Sequence, residues 1–282
     1  MKSLKEYFKQ ARDEHWAIGH FNFSFADQLK AFVETAKELG SPLMVATSEN
    51  EALFVGYNQA VALVKSYQEA GHPIFLNADH HKGWQTATRA VDAGYDTIHI
   101  DASALPFERN IELTKEVVKY AKSKNPDMMV EGELGYLRGS SKVQEKVEIF
   151  HEDYTKPKEA EEFVEKTGID RLAIAFGNVH GITTDQTMHL DIDVLRSIRE
   201  VVPDVHIVLH GGSGLSDEEV EAAIAHGVTN VHVNTELRIA YHDAMEEELA
   251  KDDESATPYE FAKPAVEATK EMIEKKLKLF GY

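Results

Sequence analysis

The chain has no cysteine. Disulfides and thiolate metal centres are therefore excluded, and any metal must be held by histidine, aspartate or glutamate. Positive charge is scarce: 30 basic residues face 49 acidic ones, for a net charge of −19. That balance argues against non-specific binding to nucleic acid or to an anionic membrane. An anionic substrate would have to be gripped by local devices rather than by overall attraction. No run of about 18 apolar residues is present to span a bilayer. The opening Met1-Lys2-Ser3-Leu4-Lys5-Glu6-Tyr7 lacks the apolar centre of a signal peptide. The expectation is a cytoplasmic protein with no nucleic-acid or membrane partner.

What remains is a 282-residue chain, 43% hydrophobic and 28% charged, which can bury a large core. Short apolar runs alternate with segments of helical period. Strands are expected at 16–23, 43–47, 74–79, 97–101, 128–134, 171–176, 205–209 and 228–233. The helices between them stop at Gly40, Gly71, Gly94, Gly168, Pro203 and Gly227. A first helix over 3–13 is capped by Ser3 and carries Leu4, Phe8 and Ala11 on one face. Strands that are apolar throughout suit a parallel sheet covered on both sides. Eight such units in about 250 residues predict an α/β fold, a single (β/α)8 TIM barrel. The reading is of one domain over 1–282, with the barrel in 1–250 and an extra C-terminal helix over 258–280 that covers the barrel or packs on a partner subunit. Two stretches break the rhythm. Residues 135–155 read as a lid or substrate loop, and 251–257 as an exposed linker.

Three of the strands end at a histidine. They run into Asp79-His80-His81, Gly177-Asn178-Val179-His180 and His210-Gly211-Gly212-Ser213-Gly214. Barrel enzymes keep their sites at the strand C-termini, so His80, His180 and His210 predict a metal centre with an open position. Asp79 is either an orienting partner for an imidazole or a general acid/base beside a metal-bound substrate; the second reading is preferred. Asp101, Glu131 and Glu133 point to the same rim. The glycine turn after His210, with Asn234 and Thr235 at the end of the last strand, makes a phosphate cradle of neutral donors. His81, His99 and His151 are left unassigned, and His206 is read as structural.

Taken in order, several motifs resemble the class II, metal-dependent ketose-bisphosphate aldolases, the fructose- and tagatose-bisphosphate aldolases. They are Asp79-His80; Ile100-Asp101-Ala102-Ser103; Glu131-Gly132-Glu133-Leu134-Gly135; Gly177-Asn178-Val179-His180-Gly181; Leu209-His210-Gly211-Gly212-Ser213-Gly214; and Val233-Asn234-Thr235-Glu236-Leu237. The resemblance covers nearly the whole chain. It implies Zn2+ on His80, His180 and His210, with a monovalent cation as a further candidate, and Asp79 as the acid/base at a C4 hydroxyl. Glu133 and Asp101 would lie at an alternative metal position or behind the ligands. Gly181, Gly211, Gly212, Ser213, His232, Asn234 and Thr235 would line the substrate and phosphate subsite. The implied activity is reversible cleavage of a phosphorylated ketose, fructose 1,6-bisphosphate or a relative, to dihydroxyacetone phosphate and an aldehyde. A homodimer or homotetramer is implied as well.

Some residues depart from the family pattern. Ile182-Thr183-Thr184 stands where an aromatic residue and lysine are usual. The loop Tyr136-Leu137-Arg138-Gly139-Ser140-Ser141-Lys142 lacks the usual acid, for which Glu145 and Glu148 are candidate substitutes. His232 replaces an asparagine, and Thr257-Pro258-Tyr259 replaces Asp-Pro-Arg. These changes keep open another ketose 1-phosphate, such as tagatose 1,6-bisphosphate, a substrate without a distal phosphate, or a non-catalytic sugar-phosphate barrel. A Schiff-base aldolase is disfavoured because the strand 171–176 carries no lysine.

Overall fold

The computed structural model describes residues 2–251 and 256–282. Most of the expected linker therefore lies outside the described residues. The strands are β1 (Ile18–Asn22), β2 (Leu43–Ser48), β3 (Ile74–His81), β4 (Thr97–Ile100), β5 (Met129–Leu134), β6 (Gly139–Gln144), β7 (Arg171–Ile174), β8 (His180–Thr183), β9 (His206–Leu209) and β10 (Val228–Val233). Eight of them close into a barrel in the order β1-β10-β9-β7-β5-β4-β3-β2. Every barrel pairing is parallel. The fold is thus a TIM barrel, as the alternation of short apolar strands and helices predicts.

Helix α1 (Leu4–Glu14) opens with a Ser3–Glu6 capping box, and its cap satisfies free N–H groups of the first turn. Its buried face, Leu4, Phe8 and Ala11, packs with Ile18, Met44, Phe75 and Met129. These strand residues share the inward parity of their strands, so α1 plugs the N-terminal mouth. The opposite parity packs outward, in a continuous layer with the helices.

The helices that follow are α2 (Ala26–Leu39), α3 (Glu49–Val55), α4 (Tyr57–Glu69), α5 (Trp84–Ala93), α6 (Phe107–Lys124), α7 (Pro157–Thr167), α8 (Ile192–Val201), α9 (Asp217–Ala225), α10 (Thr235–Leu249), α11 (Pro258–Phe261) and α12 (Lys263–Leu279). The ring is closed by α12 rather than by α10. Helix α10 buries only Thr235 and Leu237, whereas α12 buries Ala265, Thr269, Ile273, Lys276 and Leu277. Helix α12 packs between α10 and α2. Gly19 allows this approach, since a Cβ there would meet the Leu277 side chain at 3.0 Å. Among the described residues, no helix is long and apolar enough to cross a membrane.

The stretch 135–155 is more ordered than a lid reading suggests. It holds β6 and a single 3-10 turn, His151–Asp153. Strand β6 pairs in parallel with β8, matching Gly139 to His180 and Gln144 to Thr183. All its residues but the half-buried Gln144 are exposed, so no apolar pattern advertises the strand. Backbone pairing and Gln144, whose amide donates to the carbonyls of Ser140 and His180 at 3.1 and 2.9 Å, hold it in place. The Arg138–Asp153 ion pair, at 2.5 Å, braces its base.

Candidate metal centre and substrate cleft

Inside the barrel the middle layer is polar, in place of the branched aliphatic residues usual there. Arg171 is fully buried, and its guanidinium meets Glu131 at 2.6 Å. It also donates to Asn230 Oδ1 at 3.1 Å and to Asn77 Oδ1 at 3.0 Å. Burial alone would raise the Glu131 carboxyl, but Arg171 and neighbouring histidines outweigh it and hold the group well below its ordinary range. This layer is the floor of the site. Two residues further along each strand, on the same inward parity, come Asn22, Asp79, His99, Glu133, His210 and His232.

His80 breaks that parity. Asp79 already points inward, so a regular strand would turn His80 outward. Instead His80 adopts a left-handed φ of 46°, and the β3–β4 register shifts between Ala78 and His81. Such a conformation costs a non-glycine residue about 1–3 kcal/mol. The backbone N–H of His80 is held by His99 Nδ1 at 3.1 Å. Asp79 and His80 thereby face one cleft, and His81 turns away against Asp79 O and the Tyr57 hydroxyl.

The three strand-end histidines converge. Ring centroids lie 4.7 Å apart for His80 and His210, 5.0 Å for His80 and His180, and 6.4 Å for His180 and His210. His80 Nδ1 is 3.0 Å from Asp101 Oδ2, and His210 Nε2 is 2.7 Å from Glu131 Oε1. Carboxylates only accept, so each pairing fixes the ring proton on its outer nitrogen. The inner nitrogens, His80 Nε2 and His210 Nδ1, are left as lone pairs facing each other at 3.1 Å. Two lone pairs at that distance require a positive species between them: a metal ion, or a proton in its place. Burial pushes His80 down, but Asp79 and Asp101 outweigh it and hold it above its ordinary value. Burial and the nearby His80 push His180 down to about 4, so it presents a neutral ring.

Donor atoms of Asp79, His80, His99 and His210 lie within 4.8 Å of one another. His180 is outside that tight group. A second group joins His80, Asp101 and Glu133, with Glu133 Oε2 3.8 Å from His80 Nδ1. The donor set, all nitrogen and oxygen with buried carboxylates behind it, fits a divalent transition metal.

Asp79 is 5% exposed. Its Oδ2 accepts from Asn22 Nδ2 at 3.0 Å, and Asn22 also donates to Glu51 at 2.9 Å. Among the described residues its Oδ1 has no hydrogen-bond partner; it lies 3.5 Å from His232 Nδ1. Burial raises the Asp79 carboxyl, yet His80, His232 and His99 outweigh it and keep the group well below its ordinary range. It is an ionised carboxylate with one oxygen unclaimed.

Asp79, His80, His180, Gly181, His210, Gly211, Ser213, His232, Asn234 and Thr235 all line one cleft, together with Asn22 and Ser141. Gly212 is not among them, contrary to expectation: its N–H is spent on His232 O at 3.0 Å. Gly211 needs its glycine, with φ 68° and a Cβ position against Val179 O. Arg238 reaches the rim, donating to Ser141 O and to Thr235 Oγ1, so the cradle is less free of positive charge than its sequence suggests. Glu145 and Glu148 are exposed and outside the cleft. The residues that sequence reasoning passed over are Asn22, His20, Glu51, Arg171, Arg238 and the role of His99. Inward strand parity was the available signal for His20, Asn22, His99 and Arg171.

A family model for fructose-bisphosphate aldolase class II matches residues 2–282. The crystal structure of the YdjI aldolase from Escherichia coli K12 is similar, at 32% identity and a TM-score of 0.85, covering 99% of this chain and 97% of that one. A putative fructose-1,6-biphosphate aldolase from Coccidioides immitis matches at 27% identity and TM-score 0.85, over 98% and 95% of the two chains. A fructose-bisphosphate aldolase from Campylobacter jejuni shares the fold at 19% identity, with a TM-score of 0.78 over 98% and 93%.

Proposed function

The chain belongs to the class II fructose-bisphosphate aldolase family, metal-dependent carbon–carbon lyases, and on that premise we propose that it is a zinc enzyme cleaving a ketose 1-phosphate reversibly to dihydroxyacetone phosphate and an aldehyde. The observation that carries this reading is the meeting of His80, His180 and His210 beside the unclaimed oxygen of Asp79, in one cleft with the glycine turn.

His80, His180 and His210 would hold Zn2+, with Asp101 and Glu131 fixing the tautomers of His80 and His210. Bound there, zinc supplies Lewis acidity for the electron pair left on C3 when the C3–C4 bond breaks. Asp79 takes the proton of the C4 hydroxyl on cleavage and returns it on condensation. The histidines around it keep it ionised, as a base must be, and Asn22 holds its Oδ2 at the cleft. Of the two readings for Asp101, its hydrogen bond to His80 favours the orienting one. Glu133 stays the candidate for an alternative metal position.

The phosphate end of the substrate would lie against Gly181, Gly211, Ser213 and Thr235, which present backbone and hydroxyl groups at the mouth where barrels bind phosphate. Thr183 and Thr184 leave this end without the family's lysine. Arg238 is a basic group that reaches Thr235 Oγ1. Fructose 1,6-bisphosphate is the reference substrate, with tagatose 1,6-bisphosphate and ketose 1-phosphates lacking a distal phosphate beside it. An exposed aromatic surface around Phe25, Phe54 and Tyr259 supports assembly as a homodimer or homotetramer.

The deciding experiment is proton exchange at C3 of dihydroxyacetone phosphate in deuterated water, with zinc-loaded and chelated protein. Exchange that needs zinc supports the reading. No exchange by fully loaded protein that still binds dihydroxyacetone phosphate would sink it.

A further inference from the structure

Lysine is seldom buried without a task, yet Lys276 on α12 is 3% exposed. Its Nζ lies 2.6 Å from Oε2 of Glu236, in the first turn of α10. The other carboxylate oxygen, Oε1, accepts the Gly214 N–H at 2.8 Å. The Glu236 N–H donates to Ser213 Oγ at 3.4 Å. One carboxylate thus ties the glycine turn to α10 and, through Lys276, to the C-terminal helix. The neighbouring Lys275–Asp217 contact is 3.7 Å long between exposed groups, where screening leaves little. Lys276 is the enclosed one.

Glu236 has the wrong sign for its place. It is partly buried, beside Ser213 and Thr235 of the cleft, where a phosphate would feel an unscreened negative charge. Lys276 cancels that charge without entering the cleft. Because Ser213 Oγ accepts from Glu236, its own hydroxyl proton is free to donate toward the cleft.

We propose that Lys276 is a positioning residue for the phosphate subsite: by pairing with Glu236 it neutralises the carboxylate that ties down the Ser213–Gly214 turn, so that the turn can receive an anion. This rests on the phosphate reading of that turn given above. It makes the C-terminal helix part of substrate binding, although no α12 residue lines the cleft.

The test uses zinc-loaded full-length protein, with inorganic phosphate as competitive inhibitor and a ketose 1-phosphate as substrate. Lys276→Met should raise both KM and the phosphate inhibition constant about tenfold, with kcat changed less than about threefold. Lys276→Arg should keep wild-type values. Unchanged phosphate affinity in a folded Lys276→Met enzyme overturns the proposal. Should that variant fail to fold, the pair Lys276→Met with Glu236→Gln removes both charges and keeps an acceptor for Gly214. Near wild-type phosphate inhibition in the double variant supports the proposal, and tenfold weaker inhibition overturns it. A wild-type enzyme that phosphate does not inhibit would remove the phosphate reading itself, and this inference with it.

Discussion

His80 Nε2 and His210 Nδ1 face each other at 3.1 Å, each with its outer nitrogen committed to a carboxylate. Nothing in the two side chains can satisfy both lone pairs, so the pair is built around a positive charge. Removing zinc should therefore cost stability as well as activity. We expect chelated protein to melt at a lower temperature and zinc to restore it, by about 4 kcal/mol when free zinc is a thousand times its Kd. Calorimetry across a zinc titration measures this, and a melting curve indifferent to zinc would contradict a metal at this place.

Asp79→Asn keeps the shape and the Asn22 neighbourhood but cannot accept a proton. The variant should bind zinc with wild-type stoichiometry and lose about 10²- to 10⁴-fold in kcat. Metal analysis beside steady-state kinetics checks it. Wild-type turnover would assign the proton transfer elsewhere.

Arg171 and Glu131 are both fully buried and paired at 2.6 Å. Arg171→Met leaves Glu131 charged and uncompensated, and should destabilise the barrel by about 3–5 kcal/mol. Chemical denaturation reads this directly. Because Glu131 also holds His210, zinc affinity should fall in the same variant, which a competitive chelator titration would show.

His206 sits near the plugged end of the barrel, its ring 4.9 Å from that of Phe8. Burial, with the charges of Arg12, Arg199 and Arg171, pushes it down to about 3. The unfolded chain would protonate it near pH 6.5. Above that pH neither state binds the proton and nothing is lost. Between pH 6.5 and 3 the unfolded state takes a proton that the folded state refuses, so stability falls as pH falls. His206→Gln should flatten this limb: the stability difference between variant and wild type should shift in the variant's favour from pH 7 to pH 4. Urea midpoints over that range test it, and parallel curves would refute it.

Much of this molecule was legible in the order of its residues. Apolar strands alternating with helices that glycine or proline closes off lead to the parallel barrel, and three strands stopping at histidine lead to the cleft. Other features depended on conformation. No periodicity announces that His80 leaves the strand alternation through a left-handed φ. Arg171 looks like the polar edge of a strand, and only the barrel's closure shows it to be a central cation. The exposed β6 has no apolar face to read, being held by its pairing with β8. Glutamates 145 and 148 were candidates on sequence proximity, but the chain directs both to solvent.

The closing of the ring by α12 bears on how the chain is made. The Ala17 N–H is bonded to Phe280 O at 3.0 Å, and the Leu277 side chain lies over Gly19. The first strand therefore waits for the last helix. During synthesis the outer face of β1 at Gly19 stays uncovered until α12 has left the ribosome, and sequence-distant closures of this kind are slow. A nascent chain halted before α12 would carry most of a barrel with an open seam beside β1, and that seam is where misassembly between unfinished copies would begin.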